Sequence, residues 1–184
     1  MIFVQKDIDI RKIMKRISTY IAVITVLLSA SCTKIEHLPP EPHIEYQSFT
    51  VFDTIDILGN QCQGGRLKFY FEDGDGNLGL ESPEETGLDT TNLFFTLYRK
   101  TNGIMEEVPD DDPMKPSEYR IPFMKREGQN KILKGTISVT FIYLFYRLES
   151  DDTLMYDFCL KDRAENYSNT ETTNEIPLSH NGTY

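Results

Sequence analysis

The residues best suited to chemistry form a short acidic loop in which acids alternate with glycines. Asp73, Asp75 and Asn77 are separated by Gly74 and Gly76 in the segment EDGDGNLGL. Calcium takes about six to eight oxygen ligands, and short acidic side chains on a tightly turning backbone supply them. The loop therefore predicts a structural calcium site, in which the ion offsets the repulsion between neighbouring carboxylates.

Glutamates that follow the loop extend the set of candidate calcium ligands. These are Glu81 and Glu84, and Glu84 is twelfth when Asp73 is counted as first, where an EF-hand places its closing glutamate. The sixth position, however, is Leu78, where an EF-hand requires glycine, so we expect a different type of calcium loop. Asp-Gly and Gly-Asn pairs also form tight turns without any metal, and such a turn is the alternative.

A second residue suited to chemistry is Cys32, at the end of an export signal. Two basic residues precede an uncharged run over 20–28, and small residues then lead into Cys32. This order is typical of a secretory signal peptide, which we assign to residues 1–31, with Met14 as an alternative start. The uncharged run is about nine residues long, whereas a membrane-spanning helix needs about twenty. A membrane-spanning anchor is therefore the less favoured interpretation.

The signal resembles that of a bacterial lipoprotein, in which the cysteine receives lipid and becomes the mature N-terminus. The resemblance implies lipidation of Cys32 and a body tethered to the outer membrane of the cell envelope. The polar, proline-rich residues 32–43 are then a lipid-anchored linker. Two or more acyl chains hold a protein at a membrane stably. The alternative is an ordinary cleaved signal followed by an unrelated cysteine.

If Cys32 carries lipid, Cys62 and Cys159 remain as candidates for a disulfide bond. An exported compartment permits such a bond. A bridge that closes so long a loop contributes about 4 kcal/mol in the chain-entropy model. Two separate thiols are the alternative, because the sequence does not place the two residues within bonding distance.

Three Asp-Thr pairs resemble the acceptor sequence for O-glycosylation in Bacteroidota. The acceptors are Thr54, Thr90 and Thr153, each preceded by aspartate and followed by an apolar residue or threonine. Glycosylation at these sites would shield the body of the protein without adding chemistry.

The charge of the chain excludes one class of partner. It contains 19 basic and 29 acidic residues, of which five and two precede Cys32, so the mature part has a net charge of −13. This field repels nucleic acid phosphates and favours cations. The sequence contains neither a GxSxG nor an HExxH motif, and we expect a protein that is not an enzyme.

The mature chain has the period of β-strands. Every second residue of 67–71 is apolar, which predicts a half-buried strand, and Asn-Gly at 102–103 predicts a tight hairpin turn. No ten-residue segment has the spacing of an amphipathic helix. We predict an all-β protein with a single antiparallel β-sandwich of seven or eight strands over residues 44–178, followed by a C-terminal tail over 179–184.

The same patterns predict individual strands. They indicate a first strand over 44–51 with a bulge, a short second piece over 53–58, a strand over 119–124 and a last strand over 170–178. Residues 141–148 are apolar on both faces. We interpret them as a core strand buried on both faces, with an exposed partner site as the alternative.

Three features together resemble a family of small Bacteroidota lipoproteins. They are the lipoprotein signal, a strand that ends in FEDGDGNLGL, and a late strand and turn, LMYDFCLKDRAENYSN. In that family a DGDG-type loop follows an early strand and a DRAGN-type turn precedes the last one. Glu165 stands in place of the glycine of that turn. The resemblance covers most of residues 32–178 and implies export and an immunoglobulin-like sandwich, but no activity.

The predicted function is therefore binding or scaffolding by a lipid-anchored envelope protein. The lipid contacts the membrane, and the body binds a protein or a glycan. The alternative is a glycan-binding or carbohydrate-active accessory protein of a polysaccharide-uptake system. A flat tyrosine cluster beside paired acids would favour the glycan, and an apolar patch at 141–148 would favour a protein.

Overall fold

The computed structural model describes residues 13–21, 37–83, 90–125, 131–144 and 152–184. The chain divides into two compact units, Met1–Glu36 and His37–Tyr184. In the first unit, residues 13–21 form a helix, in which the hydroxyl of Thr19 donates to the carbonyl of Lys15 (2.9 Å). None of the helices in the described ranges is long and apolar enough to cross a membrane. Cys32 lies outside the described residues.

The second unit consists of strands. Within the described residues there are nine: β1 His43–Ile55, β2 Gln61–Asp73, β3 Leu93–Thr101, β4 Ile104–Glu107, β5 Leu133–Tyr143, β6 Thr153–Leu160, β7 Glu171–Thr172, β8 Ile176–Pro177 and β9 Gly182–Thr183. One sheet has the order β5-β2-β1-β9; the other has the order β4-β3-β6-β7, with β8 also paired to β6. The pairs are antiparallel. The predicted all-β sandwich is confirmed, and its immunoglobulin-like type stays a prediction.

The core lies between the two sheets because alternate side chains of each strand are apolar. Phe49 and Phe141 from the first sheet stack with Tyr156 from the second, with ring centroids 5.7–5.8 Å apart. Burial of each such ring contributes about 1.5–3 kcal/mol. The hydroxyls of Tyr143 and Tyr156 lie 2.8 Å apart in this core, and burial raises the pKa of both phenols.

Two local predictions about the strands are confirmed. The register of β1 against β2 shifts between Tyr46 and Ser48, which is the bulge expected in the first strand. The turn between β3 and β4 is formed by Asn102 (φ 53°) and Gly103 (φ 84°). Positive φ at both positions matches the twist of the flanking strands, which is why Asn-Gly forms this hairpin.

Three predicted strands differ from the structure. Residues 53–58 do not form a separate strand, because β1 continues to Ile55 in pairing with β2. Residues 119–124 form isolated bridges only, as expected where a proline lacks an N–H. The last strand over 170–178 is divided into β7 and β8, because the hydroxyl of Thr173 accepts the N–H of Tyr156 (3.0 Å) in place of a backbone carbonyl.

The predicted tail over 179–184 is part of the sandwich. β9 pairs with β1, and Tyr184 exchanges two backbone hydrogen bonds with Phe49 (3.0 and 2.8 Å). The hydroxyl of Tyr46 also donates to the carbonyl oxygen of Tyr184 (2.7 Å). The tail prediction was wrong because a strand of two residues has no periodic pattern in the sequence.

The apolar stretch that begins at residue 141 is buried on one face only. Phe141 and Tyr143 are buried, whereas Ile142 is 49% exposed and Leu144 is 58% exposed. The interpretation as a core strand buried on both faces is therefore wrong as far as Leu144, because each sheet of a two-layer sandwich buries only the face that is turned to the other sheet. Residues 145–148 lie outside the described residues.

Candidate functional site

Asp73 ends β2 and forms the centre of the acidic loop. Its side chain is fully buried, and its two oxygens accept the N–H groups of Gly76 (3.1 Å) and Leu78 (2.6 Å). Burial raises the pKa of this carboxyl, and the neighbouring Asp75 adds to the rise, while the bonds from Leu78 and Gly76 oppose it; the net shift is upward. Because a buried N–H without an acceptor is costly, Asp73 holds the turn closed.

The other candidate calcium ligands lie along the same loop. The side-chain amide of Asn77 donates to Oδ2 of Asp75 (2.9 Å), Glu81 is exposed, and Glu84 lies outside the described residues. In the described part of the chain, no three His, Cys, Asp or Glu side chains are grouped so as to hold a metal ion. The calcium site stays a prediction: a higher melting temperature in calcium than in chelator would support it, and equal temperatures would contradict it.

Arg163 joins the acidic loop to the turn after β6. Its Nη1 donates to the carbonyls of Gly79 (2.7 Å) and Leu78 (3.3 Å). Its backbone N–H donates to the carbonyl of Asn77 (3.4 Å). The guanidinium carbon also lies 4.8 Å from the ring centroid of Phe123. Hydrogen bonds from a charged donor contribute about 1.5–3 kcal/mol. One side chain therefore connects two loops and the segment that carries Phe123.

The turn after β6 is closed by Asp162, which is buried. Its carboxylate accepts the backbone N–H (2.8 Å) and the side-chain amide (2.9 Å) of Asn166, and its own N–H donates to the Asn166 carbonyl (3.0 Å). Glu165, at the glycine position of the DRAGN-type pattern, has a φ of 69°. The left-handed conformation is kept by a residue with a Cβ, at a cost of about 1–2 kcal/mol.

The turn between β1 and β2 has the same construction. Asp56 accepts the backbone N–H (2.8 Å) and the side-chain amide (2.9 Å) of Asn60, and hydrogen bonds from this residue lower the pKa of Asp56. Gly59, with a φ of 85°, occupies the position equivalent to Glu165. The pattern of Asp and then Asn four residues later therefore forms the same capped turn twice.

Replacement of Glu165 by glycine is expected to stabilise the protein. The relief of the left-handed conformation, about 1–2 kcal/mol, exceeds the entropic cost of a glycine, about 0.5–1 kcal/mol. The free energy of unfolding, measured by urea denaturation, is expected to rise by about 0.5–1 kcal/mol. Gly59→Ala is the matched reverse change, because no atom lies within 4 Å of its added Cβ, and it is expected to cost about 1 kcal/mol. Glu165→Ala equally loses the exposed ion pair of Glu165 with Lys161 (2.8 Å), so a Glu165→Gly variant less stable than Glu165→Ala would contradict this account of the turn.

The chain that leads into β1 packs against the acidic loop. The N–H of Gly74 donates to the carbonyl of Pro39 (3.2 Å). A Cβ on Gly74 would lie 2.2 Å from that oxygen and 2.5 Å from the carbonyl oxygen of Leu38, so only glycine permits this approach. The end of the predicted linker is therefore held against the sandwich, and the acidic loop marks the end of the domain at which the chain enters.

The two remaining cysteines are free thiols, and the predicted disulfide between Cys62 and Cys159 is not formed. Cys62 shares the outer side of β2 with Arg66, and Cys159 shares the outer side of β6 with Asp157. The two strands belong to different sheets, so the core separates the thiols. Burial raises the pKa of each thiol, which lowers the reactive thiolate fraction.

The predicted glycosylation sites differ in accessibility. Thr90 is exposed just before β3, whereas Thr54 within β1 and Thr153 at the start of β6 are half-buried. A glycan on a half-buried strand residue is crowded by the side chains of neighbouring strands. Thr90, which is exposed and lies outside the strands, is therefore the most accessible of the three acceptors. Glycosylation itself stays a prediction.

The capped turn between β1 and β2 presents apolar side chains to solvent. Ile55 is 64% exposed, Ile57 is 99% exposed and Leu58 is 81% exposed. We call these three residues the apolar tip. Ile142 is also exposed. It lies on the outer strand β5, where it pairs with Gly64 of β2. The tip lies at the end of β1 opposite to the chain entry, and a strand of 13 residues extends over about 40 Å.

Sequence reasoning missed the residues that fix these loops. Arg163 and Asp162 were not singled out, nor was Asn92, which is buried and accepts the N–H of Ile121 (2.7 Å). The available signal was the spacing of Asp and Asn, which recurs at 56–60 and at 162–166. Comparison of the chain with protein-family models, with curated proteins and with solved structures finds no match.

Proposed function

We propose that this protein is a lipid-anchored β-sandwich of the cell envelope that binds a protein partner without catalysis, through its apolar tip. The observation that carries the proposal is the near-complete exposure of Ile57 (99%) and Leu58 (81%) on one turn. Grouped apolar side chains that remain in water are typical of interaction sites. Burial of two such side chains on a partner would contribute about 3–6 kcal/mol.

The construction of the turn supports a binding role. Oδ1 of Asp56 accepts the N–H groups of Leu58 and Asn60, each at 2.8 Å, so the backbone that carries the apolar tip is fixed before any partner arrives. A preorganised site loses less conformational entropy on binding than a flexible one. The capped turn therefore combines exposed apolar area with a low cost of ordering.

The position of the apolar tip also suits a tethered protein. The chain enters the sandwich at His43, and the tip lies at the other end of β1. If Cys32 carries lipid, the chain from Cys32 to His43 connects the membrane to the entry end. The tip is then the part of the sandwich farthest from its tether, where a partner in the envelope has the freest access.

Photocrosslinking in cells tests the apolar tip. A benzoylphenylalanine at position 57 is expected to give a discrete crosslinked adduct, and the adduct is expected to disappear when Leu58→Asp is added. Position 104 is the matched control, because Ile104 is also an aliphatic residue on a hairpin and is 64% exposed. Equal adducts at both positions, or no adduct at position 57, would contradict the proposal.

A glycan-binding accessory role is the second candidate, and it is favoured by an aromatic pair on the other sheet. The rings of Phe94 and Tyr167 lie 6.0 Å apart, and Tyr167 is 57% exposed. A depression of about 290 Å³ adjoins them, lined by Phe94, Asp157 and Thr170 among others. Retardation in polysaccharide-containing gels that Tyr167→Ala abolishes would support this role, and unretarded wild-type protein would oppose it.

A further inference from the structure

β5 is an outer strand whose edge is uncharged from Gly135 to Tyr143. It lies at the end of its sheet, and in the described part of the chain no strand pairs with its other side. From Gly135 to Tyr143 it contains no charged residue and no proline, which are the usual protections of an edge strand. In an antiparallel pair every second residue directs its N–H and C=O away from the partner strand. From Gly135 to Tyr143, β5 therefore carries a row of main-chain groups suited to pairing with another strand.

A cleft runs beside this edge. Residues 137–140 of β5 form one side, and the segment 119–124 lines the other, around a volume of about 440 Å³. A second depression of about 200 Å³ continues along Phe141–Leu144. The first volume lies in the lower part of the range of about 300–1,000 Å³ found for ligand sites, and the second lies below that range. The cleft thus provides space along the edge rather than at one point.

The main chain of the opposite wall is already bonded elsewhere. Tyr119 exchanges hydrogen bonds with Leu93 (3.0 Å each way), the carbonyl of Ile121 accepts the N–H of Leu80 (2.9 Å), and the N–H of Ile121 donates to Asn92 (2.7 Å). This wall is anchored to the other sheet and to the acidic loop. The edge of β5 is therefore the side of the cleft at which a new strand would pair.

The charge around the cleft is opposite to that of the whole chain. The described residues 113–125 and 131–144 contain five basic residues and one acidic residue, although the chain has a net charge of −10. Lys125 and Lys131 are exposed at the ends of the segments that border the cleft. A second copy paired through β5 would bring two positive regions together, whereas an acidic segment would be attracted.

We propose that the edge of β5 binds an extended acidic peptide segment of a partner protein, which adds to the sheet as a further strand. Main-chain hydrogen bonds to β5 supply the affinity, as in other cases of strand addition. Alternate apolar side chains of the peptide enter the cleft beside Ile137 and Met124, and its acidic residues lie near Lys125 and Lys131. This site is separate from the apolar tip and does not depend on lipidation.

Fluorescence anisotropy with the purified mature domain tests the proposal. The probe is a labelled peptide that alternates valine with threonine between terminal pairs of aspartate. It is expected to bind saturably, about tenfold more tightly than the same peptide with lysines at its ends, and a proline at its centre is expected to abolish binding. Lys131→Glu and Lys125→Glu are each expected to weaken binding by about threefold. Lys100→Glu, on β3, controls for a change of charge away from the cleft: it breaks the ion pair of Lys100 with Glu175 (2.6 Å) and is expected to leave peptide binding unchanged.

Hydrogen exchange locates the peptide. Binding is expected to slow exchange of alternate amides of β5 and to leave those of β4, the edge of the other sheet, unchanged. No binding, equal binding of the acidic and basic peptides, or unchanged exchange in β5 would each overturn the proposal. Slow exchange of those amides in the free monomer, or in a dimer of this chain alone, would also overturn it, because the edge would then have another occupant.

Discussion

Asp73→Ala is expected to lower the free energy of unfolding by about 3 kcal/mol or more. The substitution removes the acceptor of two N–H groups, those of Gly76 and Leu78, in a loop where Asp73 is fully buried. Each buried donor left without an acceptor costs about 1–3 kcal/mol. Urea denaturation followed by circular dichroism measures the effect.

Two control variants distinguish this explanation from a simple loss of charge. Asp73→Asn keeps one acceptor and is expected to fall between wild type and Asp73→Ala. Asp56→Ala removes similar hydrogen bonds to backbone N–H groups at an exposed turn, where water replaces them, so a smaller loss is expected. If Asp73→Ala and Asp56→Ala were equally mild, Asp73 would not be holding its loop closed.

Gly79→Ala is expected to destabilise the protein by about 2–5 kcal/mol. Gly79 has a φ of 89°, and an added Cβ would lie 2.4 Å from the carbonyl oxygen of Pro122 and 3.1 Å from the Cα of Phe123. Because both contacts are to backbone, the segment 119–124 would have to move. The cost combines a disfavoured backbone conformation, about 1–2 kcal/mol, with overpacking of about 1–3 kcal/mol.

Gly103→Ala separates these two contributions. Gly103 has nearly the same φ, 84°, but no atom lies within 4 Å of its added Cβ, so only the conformational cost of about 1 kcal/mol is expected. The difference between the two variants measures the contact of Gly79 with the segment 119–124. Equal losses in the two variants would show that this contact is unimportant.

The fold was predictable where one face of a strand is buried. In β2 the buried residues Leu67, Phe69 and Phe71 alternate with polar neighbours, and the pattern in the sequence has the same period as the burial. Asn102-Gly103 indicated a hairpin turn because few other residue pairs adopt a positive φ at both positions. β9 was not predictable, since its two residues pair with Thr50 and Val51, which lie far away in the sequence.

The acids of the acidic loop are visible in the sequence, but the hydrogen bonds that they make are not. The sequence predicts that these acids are metal ligands, because their side chains carry oxygens at short spacing. In the structure the oxygens of Asp73 accept N–H groups of its own turn, and Arg163, which bonds the carbonyl of Gly79, comes from a distant part of the chain. Only the fold brings Arg163 to the loop, so no local pattern could have indicated their contact.

The acidic loop, Arg163 and the entering chain lie at one end of the sandwich, and the apolar tip lies at the other. The proposed function uses this separation. The chain enters at one end, where Gly74 bonds Pro39 and where the proposed lipid tether would be attached, and the other end presents Ile57 and Leu58. The account therefore depends on the attachment of the entry end to a membrane, for which we propose a lipid at Cys32.

Metabolic labelling with palmitate in the native host, combined with membrane fractionation, tests this attachment most directly. The account predicts that the wild-type protein takes up label and is found with the outer membrane, and that Cys32→Ser takes up none and leaves the membrane fraction. A wild-type protein without label, or a Cys32→Ser variant that remains with the membrane, would contradict lipid anchoring at Cys32.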